Sequence, residues 1–382
     1  MRALAFALLT TLPAAAHAQA AVTLAKPDAQ FADPFTRIAG IAEMPNGKVL
    51  VSDLQDKVVQ MVDFQAGTGV KVGREGQGPG EYALPSALYP MPNGETWLND
   101  MLGRRFLVLD AAGKPVRTVP LPGSHGGGFI AMMPGGGGAD RSGHLYFQSP
   151  PFGAGGPGAP PPDSLAILRW DGRGESMDTA AWVVMAKSNV STSGGGGSIA
   201  IRIGGAKIFT PEERWGVASD GSIARVTHTP YRVVWYGAKG TAPAVGTTQA
   251  YTPLKVTEAD KQEVIEQQKR QRPMMITMGA NGARGGGAPP SVKLPDPEFA
   301  DTKPAFFGSS AVQVSPEGEV WVQRTQPAGT KNPLYDVFDR TGKLVRHVTL
   351  NPKSAVRGFG KGTVYVVRTD DDDLQYLERY RR

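Results

Sequence analysis

Short segments of alternating apolar and polar residues recur along the chain, and each follows a tight turn that contains glycine. Alternation with a period of two is typical of a strand with one buried face, and a glycine turn ahead of it predicts a β-hairpin. Six copies of this pattern are present: Asn46-Gly47 before Lys48–Asp53, Asn93-Gly94 before Glu95–Asp100, Ser142-Gly143 before His144–Ser149, Asp220-Gly221 before Ser222–Thr227, Glu317-Gly318 before Glu319–Arg324, and Lys361-Gly362 before Thr363–Arg368.

A second apolar strand follows each copy, and a short apolar segment such as Ile38–Met44 precedes it. These following strands, the third of each unit, are Val58–Phe64, Arg105–Asp110, Leu165–Asp171, Tyr231–Tyr236, Tyr335–Asp339 and Leu374–Tyr380. Four short antiparallel strands, repeated about every 40–50 residues, describe one blade of a propeller. The predicted fold class is therefore all-β: a six-bladed β-propeller of four-stranded antiparallel blades with one helical insertion.

The last unit supplies one strand too few for a complete blade. We expect an N-terminal strand, Ala21–Lys26, to close this last blade as its outermost strand. Closure of this kind removes an open sheet edge, which otherwise promotes aggregation. Deletion of residues 19–28 is therefore expected to lower the melting temperature sharply.

Three insertions interrupt the repeat, at residues 150–163, 186–214 and 248–304. The third contains a predicted helix, Thr257–Gln271, with Thr257 and Asp260 at its start. Every insertion follows the second or the fourth strand of a unit, so all three are expected to project from one face, around one end of the central channel. Repeat proteins often bind their ligands where such insertions cluster.

The N-terminal residues resemble a secretory signal peptide, which we place at residues 1–18. Met1-Arg2 is basic, Ala3–Leu12 is apolar, and Ala16-His17-Ala18 fits a cleavage site. We expect an exported protein, in the periplasm or the medium, whose residues 19–382 form a single propeller domain. No later segment reaches the about 20 apolar residues that an integral membrane helix needs.

Composition narrows the classes of function. The chain has no cysteine, which excludes disulfides and thiolate chemistry. Its net charge of +6 is spread along the sequence without a basic stripe, so nucleic acid is not an expected partner. A monomer is expected.

The first two units carry a resemblance to a known family. Gly40–Asp53 and Val58–Phe64 lead into the connection Gly76-Gln77-Gly78-Pro79-Gly80-Glu81-Tyr82, and Pro85–Val116 follows. This stretch resembles the NHL-like six-bladed propeller proteins of bacteria, over about residues 31–121 and again over 304–381. The resemblance implies the fold; members of the group differ widely in role, so it implies no activity.

Polar residues at the ends of second strands are the first candidates for a site. Asp53 and Asp100 occupy equivalent places in units one and two, where they could bind a cation or a polar ligand. The structural alternative, which we favour, is that each carboxylate caps its adjoining loop by accepting backbone N–H groups. The equivalent positions of the other units hold Ser149, Thr227, Arg324 and Arg368.

Two classes of function remain open. The first is an exported, non-catalytic binding protein without a cofactor, which takes a protein, peptide or glycan ligand at the insertion-bearing face. Its candidate ligand-binding residues are Asp53, Asp100, Arg104, His228 and Arg324. The alternative is a metal-dependent hydrolase or lyase, similar to gluconolactonase-like or amidating-lyase-like propellers. It would hold Ca²⁺ or Zn²⁺ at the channel mouth through Asp53, Asp100, His228 and Glu81.

Overall fold

The computed structural model describes residues 20–122, 137–149, 162–184, 189–195, 198–204, 207–237, 241–270, 277–279, 282–284 and 297–382. The expected signal peptide lies outside these ranges, and so does the first insertion apart from residues 162–163. All six second strands that carry the repeat pattern lie within these ranges. Apolar residues occupy the inward-facing positions of these strands, and each strand therefore belongs to a sheet with both faces buried.

Six of the sheets in the described part of the chain form the blades, and the four blade strands of each are antiparallel. From the inner to the outer strand, blades one to three are Ile38–Glu43, Val49–Asp53, Val58–Asp63, Thr68–Lys71; Pro85–Pro90, Thr96–Asp100, Arg105–Leu109, Pro115–Pro120; and Gly138–Ala139, Leu145–Gln148, Ser164–Trp170, Asp178–Val184. Blades four to six are Arg214–Val217, Ile223–His228, Tyr231–Tyr236, Ala244–Val245; Val312–Val314, Val320–Gln323, Leu334–Phe338, Leu344–Leu350; and Ser354–Gly360, Thr363–Thr369, Gln375–Arg381, Ala29–Gln30.

The inner strands of successive blades contact one another, and the strand of blade six contacts that of blade one, so the ring is closed. Two glycines make this close approach possible. A Cβ atom on Gly216 would lie 2.6 Å from Cγ2 of Val314, and one on Gly40 would lie 2.6 Å from the carbonyl oxygen of Ser86. The chain is a six-bladed β-propeller, which confirms the predicted fold class.

Most of the core lies between blades. Trp321 of blade five packs on Phe359 of blade six, with 5.6 Å between ring centroids. The aromatic side chains of Trp97, Tyr146 and Tyr365, which also lie on second strands, are buried in the same way. Burial of large rings between neighbouring blades is the main reason that single units do not fold alone.

The N-terminal segment closes the last blade, but not through the predicted strand Ala21–Lys26. Ala20–Leu24 instead pairs in parallel with Leu344–Leu350 as a fifth strand of blade five. The closing strand of blade six is Ala29–Gln30, which is antiparallel to Gln375–Arg381. The reason is the next residue: Phe31 is buried between blades six and one, whereas Ala20–Leu24 is largely exposed.

The helix of the third insertion spans Glu258–Arg270, close to the predicted bounds. Its start is a reciprocal cap: the Thr257 hydroxyl accepts the Asp260 N–H (3.3 Å), and the Asp260 carboxylate accepts the Thr257 N–H (2.8 Å). Strands Leu254–Lys255 and Thr302–Lys303 pair just outside the helix and join the two ends of the insertion. No helix of the described ranges is both long and apolar enough to cross a membrane.

Three further short pairs of strands lie in the connections between blades. They are Arg74–Glu75 with Glu81–Tyr82, Asn189–Gly195 with Ser198–Gly204, and Thr277–Gly279 with Gly282–Arg284. The first pair is the connection between blades one and two, where Glu81 accepts the Gly78 N–H at 2.8 Å. This connection is a structural crossover between the two blades.

Candidate ligand-binding site

Loops that follow second and fourth strands share one face of the propeller, here called the insertion face; the turns after first and third strands form the turn face. On the insertion face, the second and third insertions meet: Ile208 bridges Phe299, and its carbonyl accepts the Ala300 N–H at 2.9 Å. At the C-terminal end of the helix, the Arg270 guanidinium lies 3.8 Å from Asp373 in a loop of blade six. The described parts of the second and third insertions therefore form a second layer on this face of the propeller.

A buried ion pair fixes this layer to the propeller. Lys303 and Asp260 are 2% and 4% exposed, and the Lys303 ammonium donates to the Asp260 carboxylate and, at 2.6 Å, to the Gln326 carbonyl. Asp260 also accepts the N–H of Ala328 at 3.1 Å. Gln326 and Ala328 belong to a loop of blade five, so the start of the helix is held on that blade.

An aromatic group lies where the two insertions join blade five. Phe209 packs against Phe307 and Phe299, with centroid separations of 4.9 Å and 6.2 Å. Phe307 is 42% exposed, so part of this group is available to a ligand. An exposed aromatic ring on a rigid support is a common element of binding surfaces.

Asp53 is almost completely buried, and its carboxylate accepts hydrogen bonds from backbone N–H groups. One oxygen accepts the N–H groups of Thr36 (2.6 Å) and Arg37 (3.1 Å), which precede the inner strand of blade one. The other accepts the N–H groups of Gln55 (2.9 Å) and Asp56 (3.0 Å). Asp53 also lines a cleft of about 410 Å³ with Asp56 and other residues of blade one.

Asp100 does the same in blade two. It accepts the N–H groups of Ala83 (2.9 Å) and Leu84 (3.0 Å) ahead of the inner strand, and that of Gly103 (3.1 Å) in its own loop. These contacts are what the capping interpretation predicts for both aspartates. Arg104, the next candidate, has a positive φ of 53°, and its carbonyl accepts the Leu121 N–H at 3.2 Å.

Arg324 joins blades four and five. Its guanidinium lies 2.7 Å from the fully buried Asp336 carboxylate and covers the rings of Tyr231 (5.3 Å) and Tyr251 (5.2 Å). The Tyr231 hydroxyl donates to the same carboxylate at 2.8 Å, and His347 lies 2.8 Å from its second oxygen. A buried charge with this many partners is one that the fold depends on.

His228 lies at the same junction, where it pairs across the hairpin with Tyr231, the residue whose ring Arg324 covers. The His228 ring stacks on Phe306 with 3.8 Å between centroids, and Nε2 is 2.8 Å from the Glu212 carbonyl. Nε2 therefore carries the proton, and Nδ1 is buried without a hydrogen-bond partner in the described part of the chain. Burial is the main reason that the pKa of His228 falls to about 4, so the ring is neutral at pH 7.

This neutral histidine predicts a loss of stability in acid. The folded pKa of about 4 lies below the ordinary value of 6.5, so the unfolded chain binds the proton more tightly and stability falls as pH drops from 6.5 toward 4. Between about pH 7.5 and about pH 5, His228 should cost about 2 kcal/mol. Urea unfolding of the protein and of His228→Gln at both pH values measures it; the same pH dependence in both proteins would contradict the assignment.

The structure places His228 and Arg324 on either side of Tyr231, and places Asp53 and Asp100 on two other blades. Across the described ranges, no three His, Asp or Glu side chains meet in a geometry that could hold a metal ion. The sequence analysis did not identify two arginines near the channel: Arg37, just before the inner strand of blade one, and Arg357, within that of blade six. The available signal was the match of Ile38-Ala39-Gly40 with Val356-Arg357-Gly358, in which arginine replaces alanine.

Arg357 is the extra residue of a β-bulge. The pairing register of the inner strand of blade six shifts between Val356 and Gly358, just as that of blade one shifts between Ile38 and Gly40. Bulges turn a side chain away from the regular sheet and are common beside functional sites. The residues at both bulges, Ala39 and Arg357, are exposed although their strands line the centre of the molecule, so both face the central channel.

No protein-family model matches the sequence, and no curated protein sequence matches it. Solved structures of several proteins align over most of the chain, and three of them are described next. Regucalcin, a calcium-binding protein from Agrobacterium tumefaciens, is 13% identical with a TM-score of 0.44, covering 95% of this chain and 97% of that one. A gluconolactonase from Xanthomonas campestris is 14% identical with a TM-score of 0.41, covering 92% and 91%. A member of the DUF4221 family from Bacteroides vulgatus is 8% identical with a TM-score of 0.43, covering 94% and 98%.

Similarity at this level carries no conclusion about activity. The order of the strands and the closed ring of inner strands are independent of these comparisons. The strand order and the closed ring identify the chain as a six-bladed β-propeller, as its NHL-like repeats predict.

Proposed function

We propose that the chain is an exported binding protein without catalytic activity, and that it takes a protein, peptide or glycan ligand at the insertion face, around the mouth of the channel. The observation that carries this proposal is the layer built by the second and third insertions. The layer is joined at Ile208 and Phe299 and fixed to blade five by the buried pair of Asp260 and Lys303.

A fixed layer favours binding because a surface that is already ordered loses little conformational entropy when the ligand arrives. Loops on a rigid scaffold are also the usual place of binding residues. The layer offers the partly exposed ring of Phe307 and the exposed, charged side of the helix. The turn face, by contrast, carries tight turns such as Asn46-Gly47 and Lys361-Gly362.

The absence of cysteine makes a test by selective blocking practical, since a single introduced cysteine can be modified alone. Glu263→Cys places a thiol on the exposed side of the helix, and Lys361→Cys places one at a turn-face hairpin of blade six. The unmodified protein is first screened on peptide and glycan arrays. Each captured probe is then titrated against both variants after a polyethylene glycol chain has been attached.

We expect the polymer at position 263 to weaken binding by about tenfold or more, and the polymer at position 361 to leave it unchanged. The reverse pattern, or no captured probe on either array, would overturn the proposal. Metal analysis of the same preparation adds a second criterion. Stoichiometric Ca²⁺ or Zn²⁺ whose removal lowers the melting temperature would support the metal-dependent hydrolase or lyase instead.

A further inference from the structure

Two arginines come together at the insertion-face half of the channel. Arg37 is the last residue before the inner strand of blade one, and Arg357 is the bulge residue in the inner strand of blade six. These two inner strands are neighbours in the closed ring. Asp53 fixes the backbone of Arg37 through its hydrogen bond to the Arg37 N–H, so this candidate residue positions an arginine.

The two positive charges are not neutralised by the protein. In the ranges that the structure describes, no carboxylate forms an ion pair with Arg37 or Arg357. Burial lowers the pKa of Arg357, and the charge of Arg37 lowers it further, while Tyr335 opposes the change. Arg357 is nevertheless exposed, as expected of a side chain that is surrounded by protein but open to the channel. Arginine stays protonated through shifts of this kind.

A pair of unneutralised cations in a confined space costs free energy unless an anion is bound there. Guanidinium groups match carboxylates through two parallel hydrogen bonds, which makes them more selective for planar anions than lysine is. The close approach of inner strands at Gly40 and Gly216 limits the width of the channel. A narrow ligand group fits such a channel better than the surface of a folded protein does.

We propose that Arg37 and Arg357 bind a carboxylate group of a ligand that enters the channel from the insertion face. This inference deepens the proposed function and rests on it. The carboxylate can come from a small organic acid, from a uronic acid residue of a glycan, or from an acidic peptide. The probes below separate these three sources.

The test uses the full chain and three probes: malonate, trigalacturonate and an oligoglutamate peptide, with trigalactose and oligoglutamine as uncharged controls. Affinity is measured by calorimetry and by the shift in melting temperature. We expect at least one charged probe to bind, and trigalactose and oligoglutamine to fail to bind. The probe that binds most tightly identifies the source of the carboxylate.

Arg357→Ala should weaken binding of that probe by roughly ten- to hundredfold, and Arg357→Lys by less, because lysine keeps the charge but loses the paired hydrogen bonds. Blade one already carries alanine at the equivalent bulge, so Arg357→Ala is expected to fold. Without a probe, its melting temperature should equal or exceed that of the parent, since a crowded charge is removed. Arg381→Ala, at a side chain that is 79% exposed, is the matched control and should leave binding unchanged.

Equal binding by the parent and Arg357→Ala would overturn this inference, as would the failure of all three charged probes to bind. If Arg357→Ala binds normally while the polymer at position 263 still blocks, the insertion-face function survives and the arginine site does not. If the polymer has no effect while Arg357→Ala abolishes binding, the ligand enters from the turn face, and the proposed function fails.

Discussion

Lys303→Ala is expected to destabilise the protein by about 3–5 kcal/mol, because it leaves the buried carboxylate of Asp260 without its partner. Burial alone would raise the pKa of Asp260, but hydrogen bonds from Lys303 and Thr257 outweigh it and hold that pKa below its ordinary value. The ammonium also donates to the Gln326 carbonyl, so the loop of blade five loses a contact too. Urea unfolding at neutral pH measures the change.

The double variant Asp260→Asn with Lys303→Met is the control for this prediction. It removes both charges while nearly keeping the buried volume, so it should recover most of the lost stability. A loss below about 1 kcal/mol in Lys303→Ala would mean that the pair is solvated and that the helix is only loosely attached. The layer proposed to bind ligand would then not be rigid.

Phe31→Ala is expected to cost a similar amount, about 3–5 kcal/mol, because the side chain is 1% exposed and fills the space where the ring of blades closes. It packs against Phe35 with 5.9 Å between centroids, and its N–H donates to the Leu377 carbonyl at 3.0 Å. Truncation leaves a cavity at the junction of blades six and one. Thermal unfolding should show a clearly lower melting temperature.

Deletion of residues 20–24 is the matching control for closure. This strand pairs with the edge of blade five but is largely exposed, so its loss should lower the melting temperature less than Phe31→Ala does. The opposite ranking would restore the N-terminal strand as the main closing element. The longer deletion of residues 19–28 also removes Asp28, which pairs with Arg379 at 2.7 Å, so we expect it to lower the melting temperature more than the deletion of residues 20–24 does.

The sequence was sufficient for the blades because each one repeats a glycine turn and an alternating strand. It also located the helix, since Thr257 and Asp260 form a local cap that depends only on neighbouring residues. The closing strand Ala29–Gln30 could not be predicted in the same way. Two residues are too few to show alternation, and their place depends on Phe31 packing across the ring.

The candidate site, too, was only partly predictable from the sequence. Equivalent places in the repeat led to Asp53 and Asp100, and both proved to hold the loops that enter inner strands. Arg357 escaped notice because a bulge is a property of how two strands pair, and pairing register is not visible in one strand alone. The pairing of Arg324 with Asp336 likewise depends on contacts between strands.

Arginine-directed labelling with phenylglyoxal, read out by mass spectrometry, tests the central claim most directly. Arg37 and Arg357 should react in the free protein and be protected by whichever carboxylate probe binds. Arg74 and Arg381, which are 81% and 79% exposed, should react equally with and without the probe. Unchanged labelling of Arg357 in the presence of a saturating, bound probe would contradict the account.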